Sequence, residues 1–166
     1  MGEPISKKHL KKYLGWKMRV DSNKERIARA EHEAMWPTMG VSDGSQHQPG
    51  PGDRMERAII RRMALEDKLQ PIIEADEYRM KQIDEAINSL DDPFEQEVLT
   101  CRYIDGEWDE EEQRSSYRLM SWAAVAVSIY GDDDERHIKA ATRLHGQALV
   151  SISKFMFEEE KEESHQ

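Results

Sequence analysis

Apolar and polar residues alternate along this chain with a helical period almost throughout, and the pattern is densest in two stretches. In the first, stepping alternately four and three residues from Met55 meets Ile59, Arg62, Glu66, Leu69, Ile73, Asp76, Met80, Ile83, Ile87 and Leu90. That is a coiled-coil seam with polar interruptions. Asp53 with Glu56 makes a capping-box pattern, so a long helix is predicted from Arg54 to Leu90, with a kink or break near Gln70 where Pro71 follows. A seam of this kind must be covered, so it is expected to pack against the N-terminal helix as a hairpin, against a second copy of the chain, or both.

The second stretch is Ser121 to Lys154, which reads as two short helices joined by a polar turn. Ser121 is placed to cap a helix in which Trp122, Val125, Ala126 and Ile129 share a face, and Gly131 is placed to end it. The run Asp132, Asp133, Asp134, Glu135 then suits the positive end of a following helix. The apolar side of that helix is Ile138, Ala141, Leu144, Ala148, Leu149 and Ile152. Its other side holds Arg136, His137, Lys139, Arg143 and Gln147, donors long enough to reach phosphates or base edges. A helix-turn-helix is the arrangement this predicts.

Elsewhere the pattern is thinner. Residues 6 to 36 read as a helix with a narrow stripe of Leu10, Tyr13, Leu14, Met18, Ile27, Ala30 and Ala34, open to a break at Asp21, Ser22 and Asn23. Residues 37 to 53 collect Pro, Gly, Ser and Gln and read as a loop. Asp92, Pro93 and Glu95 announce another helix, which Gly106 ends. Residues 107 to 120 show no period and read as an acidic loop or a short exposed helix, and the acidic tail 158 to 166 is expected to be disordered. The fold class predicted is therefore all-α: a helical arm over 1 to 90, a long hairpin or coiled coil, followed by a helix-turn-helix domain over 91 to 157.

Composition agrees with a small core, since 37% of residues are hydrophobic and 35% charged. No apolar run approaches the roughly 20 residues that cross a bilayer, which predicts a soluble, cytoplasmic protein with no membrane partner. Cys101 is the single cysteine, so no internal disulfide and no thiolate zinc cluster can form. The net charge of -10 is unevenly spread. Residues 1 to 36 hold 9 basic and 5 acidic side chains, whereas 91 to 113 hold 10 acidic and 1 basic. The Lys7, Lys8, Lys11, Lys12 cluster could meet DNA or another anionic surface, or be a solvated helix face. The six histidines lack metal-site spacing, and no phosphate loop or nucleophile elbow is present, so neither a cofactor nor enzymatic activity is expected.

LDDPFEQEVLTCRYIDG at Leu90 to Gly106, SWAAVAVSI at Ser121 to Ile129 and RLHGQAL at Arg143 to Leu149 come in an order and spacing that resemble small phage-encoded regulators of the ArpU and RinA type. The same half of the chain is similar to region four of bacterial sigma factors. The acidic segment from about Glu107 to Met120 is an insertion relative to that pattern, and Gln147 stands where an Arg is usual. The resemblance implies a DNA-binding transcriptional regulator of phage or prophage genes. Its recognition helix would present Arg136, His137, Lys139, Arg143, His145 and Gln147 to double-stranded DNA. Its helical arm would form a homodimer or engage RNA polymerase. Two other readings remain open at this point: a helical protein-interaction module, and the DNA-recognition small subunit of a phage terminase.

Overall fold

The computed structural model describes residues 2–36, 51–110 and 116–160. Two long helices, α1 (Lys7–Met35) and α2 (Pro51–Asn88), precede three shorter ones, α3 (Pro93–Leu99), α4 (Trp122–Tyr130) and α5 (Glu135–Ile152). Four short strands, β1 (Glu3–Pro4), β2 (Glu107–Asp109), β3 (Ser116–Arg118) and β4 (Met156–Phe157), pair as two antiparallel ribbons, β1 with β4 and β2 with β3. The fold is all-α with a long helix pair. Among the described residues no helix is long and apolar enough to cross a membrane.

The helix ends follow the local chemistry. Asp92 caps α3 by accepting from the Phe94 N–H at 2.8 Å, with Pro93 in the first turn where its missing donor costs nothing. The chain then widens into a π-helical turn at Thr100–Asp105 that closes when Gly106 N–H donates to the Cys101 carbonyl at 3.1 Å. Gly106 sits at φ 60°, and a Cβ there would lie 2.5 Å from the Arg118 carbonyl oxygen, so this position demands glycine on two counts. Ser121 caps α4 through the Ala124 N–H at 3.2 Å, and Gly131 ends it in the left-handed region at φ 89°.

Two continuous helices stand in the N-terminal half, without the breaks that the sequence left open. α1 runs unbroken through Asp21, Ser22 and Asn23, and α2 begins at Pro51 and passes through Pro71. Pro71 lies on the exposed side of α2, so its ring and missing donor are tolerated while Leu69 and Ile73 on the other side stay buried. The loop expected over 37 to 53 lies, for residues 37–50, outside the described residues.

Packing divides the chain elsewhere than at residue 90. One compact unit comprises Met1–Met18 with Ala75–Gln166, and the other Arg19–Glu74. In the first, Ile5, Leu10, Tyr13 and Trp16 from the N-terminus share one core with Ile83 and Ile87 near the end of α2 and with Leu90 just beyond it. Val98, Leu99, Tyr103, Val125, Ala126, Ala141, Ala148, Ile152 and Phe157 complete it. The start of the chain thus belongs to the same core as the helix-turn-helix. Sequence pattern could not reveal this, because Ile5 and Phe157 each lie outside any periodic run. The second unit buries Val20, Asn23, Ala34, Leu69 and Ile73, and leaves Met55, Ile59, Ile60 and Met63 exposed on α2.

The acidic segment after Gly106 is neither a loop alone nor a helix: it contains the β2–β3 hairpin, with residues 111–115 outside the described range. Trp108 and Tyr117 pack edge to face at 4.9 Å across it. Arg118 pairs with Glu107 at 3.2 Å and Asp109 at 3.3 Å, so one guanidinium offsets part of the acidic charge of the hairpin. The beginning of the acidic tail is also ordered. Gln82 donates to the Glu158 carbonyl and accepts from its N–H, both at 2.7 Å, while Arg79 pairs with Glu159 at 3.3 Å. Residues 161–166 of the expected disordered tail lie outside the described residues.

Candidate nucleic-acid interface

α4 and α5 are joined by the four residues from Gly131 to Asp134. Asp134 occupies the N-cap position of α5 without a side-chain cap: its carbonyl accepts from the His137 and Ile138 N–H groups at 2.8 and 3.0 Å. Its carboxylate turns to Arg136 at 3.2 Å instead. The Asp132 carboxylate accepts from the Asp134 N–H at 3.0 Å and binds the His137 ring, which stacks on Tyr130 with centroids 5.0 Å apart. Those hydrogen bonds, that to His137 first, hold the Asp132 carboxyl below the usual carboxylate range.

Of the residues expected to face DNA, Arg136, Lys139, Arg143 and Gln147 are all exposed on α5, at spacings of three and four residues that align them on one side of the helix. The Arg136 side chain is 87% accessible. His137 is half-buried at the turn. Arg136, His137 and Lys139 each meet a carboxylate of the turn or first helical residue, Lys139 reaching Glu135 at 3.0 Å. Arg143 and Gln147 make no ion pair among the described residues. The opposite side of α5 is the core side, with Ala141, Ala148 and Ile152 buried and Ile138, Leu144 and Leu149 packed against them, as the apolar pattern predicted.

His145 is a correction: it points inward, 6% exposed, and is not available to a duplex. Its position lies on the core side of α5, between Ala141 and Ala148, so helical geometry overrides the polar character of the ring. Its Nε2 shares a 2.6 Å hydrogen bond with the Tyr103 hydroxyl, and its ring meets Trp122 edge to face at 4.9 Å. Burial, with help from the positive charges of Lys7 and Arg102, lowers its pKa to about 4, so the ring is neutral at pH 7. Arg102 completes this group. Its guanidinium lies 4.5 Å over the Trp122 ring and donates to the Met120 carbonyl, leaving Nε buried without a partner.

This group is the anchor of the helix pair. Tyr103 and Arg102 come from the π-helical turn, Trp122 from the start of α4 and His145 from the middle of α5, so one polar contact set fixes three elements. Glu107 supports it from the hairpin. One of its oxygens accepts from both the N–H and the hydroxyl of Ser121 at 3.1 Å, ordering the residue that caps α4. Those bonds, led by the backbone one, depress the Glu107 carboxyl. The sequence signalled Trp122 and Ser121, but not Tyr103, Arg102 or Glu107, whose partners are distant in the chain.

Among the described residues no group of three His, Cys, Asp or Glu side chains could hold a metal ion. Cys101 is buried and donates to Glu97 at 3.2 Å; burial first, then that carboxylate, pushes its thiol up to about 12, leaving a poor nucleophile. No family model matches the chain, and neither the curated proteins nor the solved structures yield a match.

Proposed function

We propose that this protein is a DNA-binding transcriptional regulator of the phage ArpU and RinA kind, in which α5 enters the major groove and α4 braces it. The observation that carries this reading is the outward row of Arg136, Lys139, Arg143 and Gln147 on a helix whose inward face is pinned by His145, Tyr103 and Trp122. Phosphate and base recognition need long donors on an exposed helix held rigidly from behind, and the row supplies them. The carboxylates of Asp132 to Glu135 oppose binding at the front of α5, where a phosphate would otherwise meet the positive helix end. Contact is therefore expected to centre on Arg143 and Gln147, in the middle of the helix, more than on its first turn.

On this reading the exposed Met55, Ile59, Ile60 and Met63 of α2 are the surface through which the protein forms a homodimer or engages RNA polymerase. The same apolar residues favour a second reading, in which the chain is a protein-interaction module and its helix-turn-helix is scaffold. Selection of bound duplexes from a random-sequence library, followed by mobility shift with wild type and Arg143→Glu, separates them. The regulator reading requires an enriched sequence whose binding the substitution weakens. Absence of enrichment, with no duplex retarded at low salt, overturns it.

A further inference from the structure

A positive surface with few carboxylate partners among the described residues lies outside the helix-turn-helix. From Pro4 to Val20 there are six Lys and Arg residues and no carboxylate. Lys7, Lys8, Lys11 and Lys12 are all exposed on the first turns of α1, on the side away from the buried Leu10, Tyr13 and Leu14. Only Lys8 has a partner, Glu3 at 3.3 Å; Lys7, Lys11 and Lys12 make no ion pair among the described residues. On α5, by contrast, Arg136, His137 and Lys139 are each held by a carboxylate of their own segment.

Stability does not account for this arrangement. Lys7 with Lys11 and Lys8 with Lys12 are like charges one turn apart, each pair costing a few tenths of a kcal/mol. They also crowd the positive end of the α1 dipole, where the first turn holds no acidic residue. Both penalties vanish when a polyanion lies along the face.

The face is rigidly tied to the reading helix. The Ile5 N–H donates to the Phe155 carbonyl at 2.9 Å, and β1 pairs with β4 immediately after α5. His9 is buried with its ring 4.4 Å from Phe157; its Nδ1 accepts from the Ser6 N–H at 3.1 Å, which leaves Nε2 to donate to Glu3 at 2.9 Å. Duplex DNA presents one negative charge per ~1.7 Å of axis, dense enough to meet lysines spaced one helical turn, ~5.4 Å, apart.

We propose that Lys7, Lys11 and Lys12, with Lys8 beside them, form a second phosphate-binding surface that grips the backbone of the duplex α5 reads. The inference rests on the duplex-binding reading of α5. It makes the start of α1 the source of most sequence-independent affinity, with α5 supplying sequence preference.

The test compares the full-length protein, the triple substitution Lys7→Gln/Lys11→Gln/Lys12→Gln, Arg143→Gln, and a control pair Lys68→Gln/Lys81→Gln on exposed α2 positions. Fluorescence anisotropy with a duplex selected by the wild-type protein and with a mixed-sequence duplex, each over a salt series, gives each slope of log affinity against log salt, and phosphatidylserine vesicles serve as a further anionic probe. All six substituted lysines and arginines are exposed, and urea melts verify folding. The triple variant is expected to flatten the slope by ~2.7, three contacts at ~0.9 each, with equal loss on every sequence, while the control pair keeps the wild-type slope. If the triple variant keeps wild-type slope and affinity while Arg143→Gln weakens binding, the lysine surface is refuted and the α5 reading stands. Flattening by the triple variant with no effect of Arg143→Gln supports the surface and refutes the α5 reading. Wild-type binding to vesicles but to no duplex overturns both.

Discussion

Replacing His145 with Gln tests the buried anchor without removing its hydrogen bond to Tyr103, because the amide can still pair with the hydroxyl. The folded ring has a pKa of about 4, whereas an unfolded histidine has ~6.5. Between those values the unfolded chain holds a proton that the folded chain refuses, so stability falls as pH falls through this window and levels off below the folded value. Linkage over the step from pH 7 to pH 5 gives about 2 kcal/mol lost from this ring alone. The carboxyls of Glu3, Glu107 and Asp132, all held below their ordinary values, lose their stabilising contribution mainly below this window. Urea melts of wild type and His145→Gln at the two pH values read the difference directly. The variant is expected to be less stable at pH 7, having lost the ring packing on Trp122, yet to lose about 2 kcal/mol less than wild type on acidification. Equal losses in the two proteins would refute the assignment of His145 as a buried neutral ring.

Freeing the front of α5 should strengthen duplex binding: Asp132→Asn with Asp134→Asn removes two charges and releases His137 and Arg136, worth about 1 kcal/mol or roughly fivefold by anisotropy. Unchanged or weaker affinity would show that the turn carboxylates do not oppose DNA. Gly106→Ala forces a Cβ against the Arg118 carbonyl at a positive φ, so it is expected to cost about 2 kcal/mol or more and lower Tm by several degrees in a thermal melt. Cys101 should resist a thiol reagent at pH 8 in the folded protein and react on addition of denaturant; rapid labelling without denaturant would contradict its burial.

Local chemistry was the most legible part of this fold. The caps at Asp92 and Ser121 and the glycine ends at Gly106 and Gly131 stand where short sequence signals place them, because each involves groups two to five residues apart. The core face of α5 was legible for the same reason. What periodicity could not supply were contacts between distant segments. The β1–β4 ribbon joins residues at opposite ends of the chain, and the Tyr103–His145 pair spans forty-two positions. His145 was misread because a polar residue type was weighed above its place on the helix. Its neighbours Ala141 and Ala148, one turn or less away on the same face, were the available sign that it turns inward. The seam is largely buried from Leu69 to Leu90, whereas its start at Met55 and Ile59 is exposed. A repeating pattern marks a surface that wants a partner without saying where the partner stops.

Backbone amide chemical shifts of the labelled protein, followed as a selected duplex is added, address the central claim most directly. If α5 enters the groove, the largest changes fall on residues at and around Arg136, Lys139, Arg143 and Gln147, with smaller ones along Lys7 to Lys12, while His145 and Tyr103 keep their hydrogen bond. Changes confined to α2 around Met55 to Met63, or a silent α5 in the presence of saturating duplex, would contradict it.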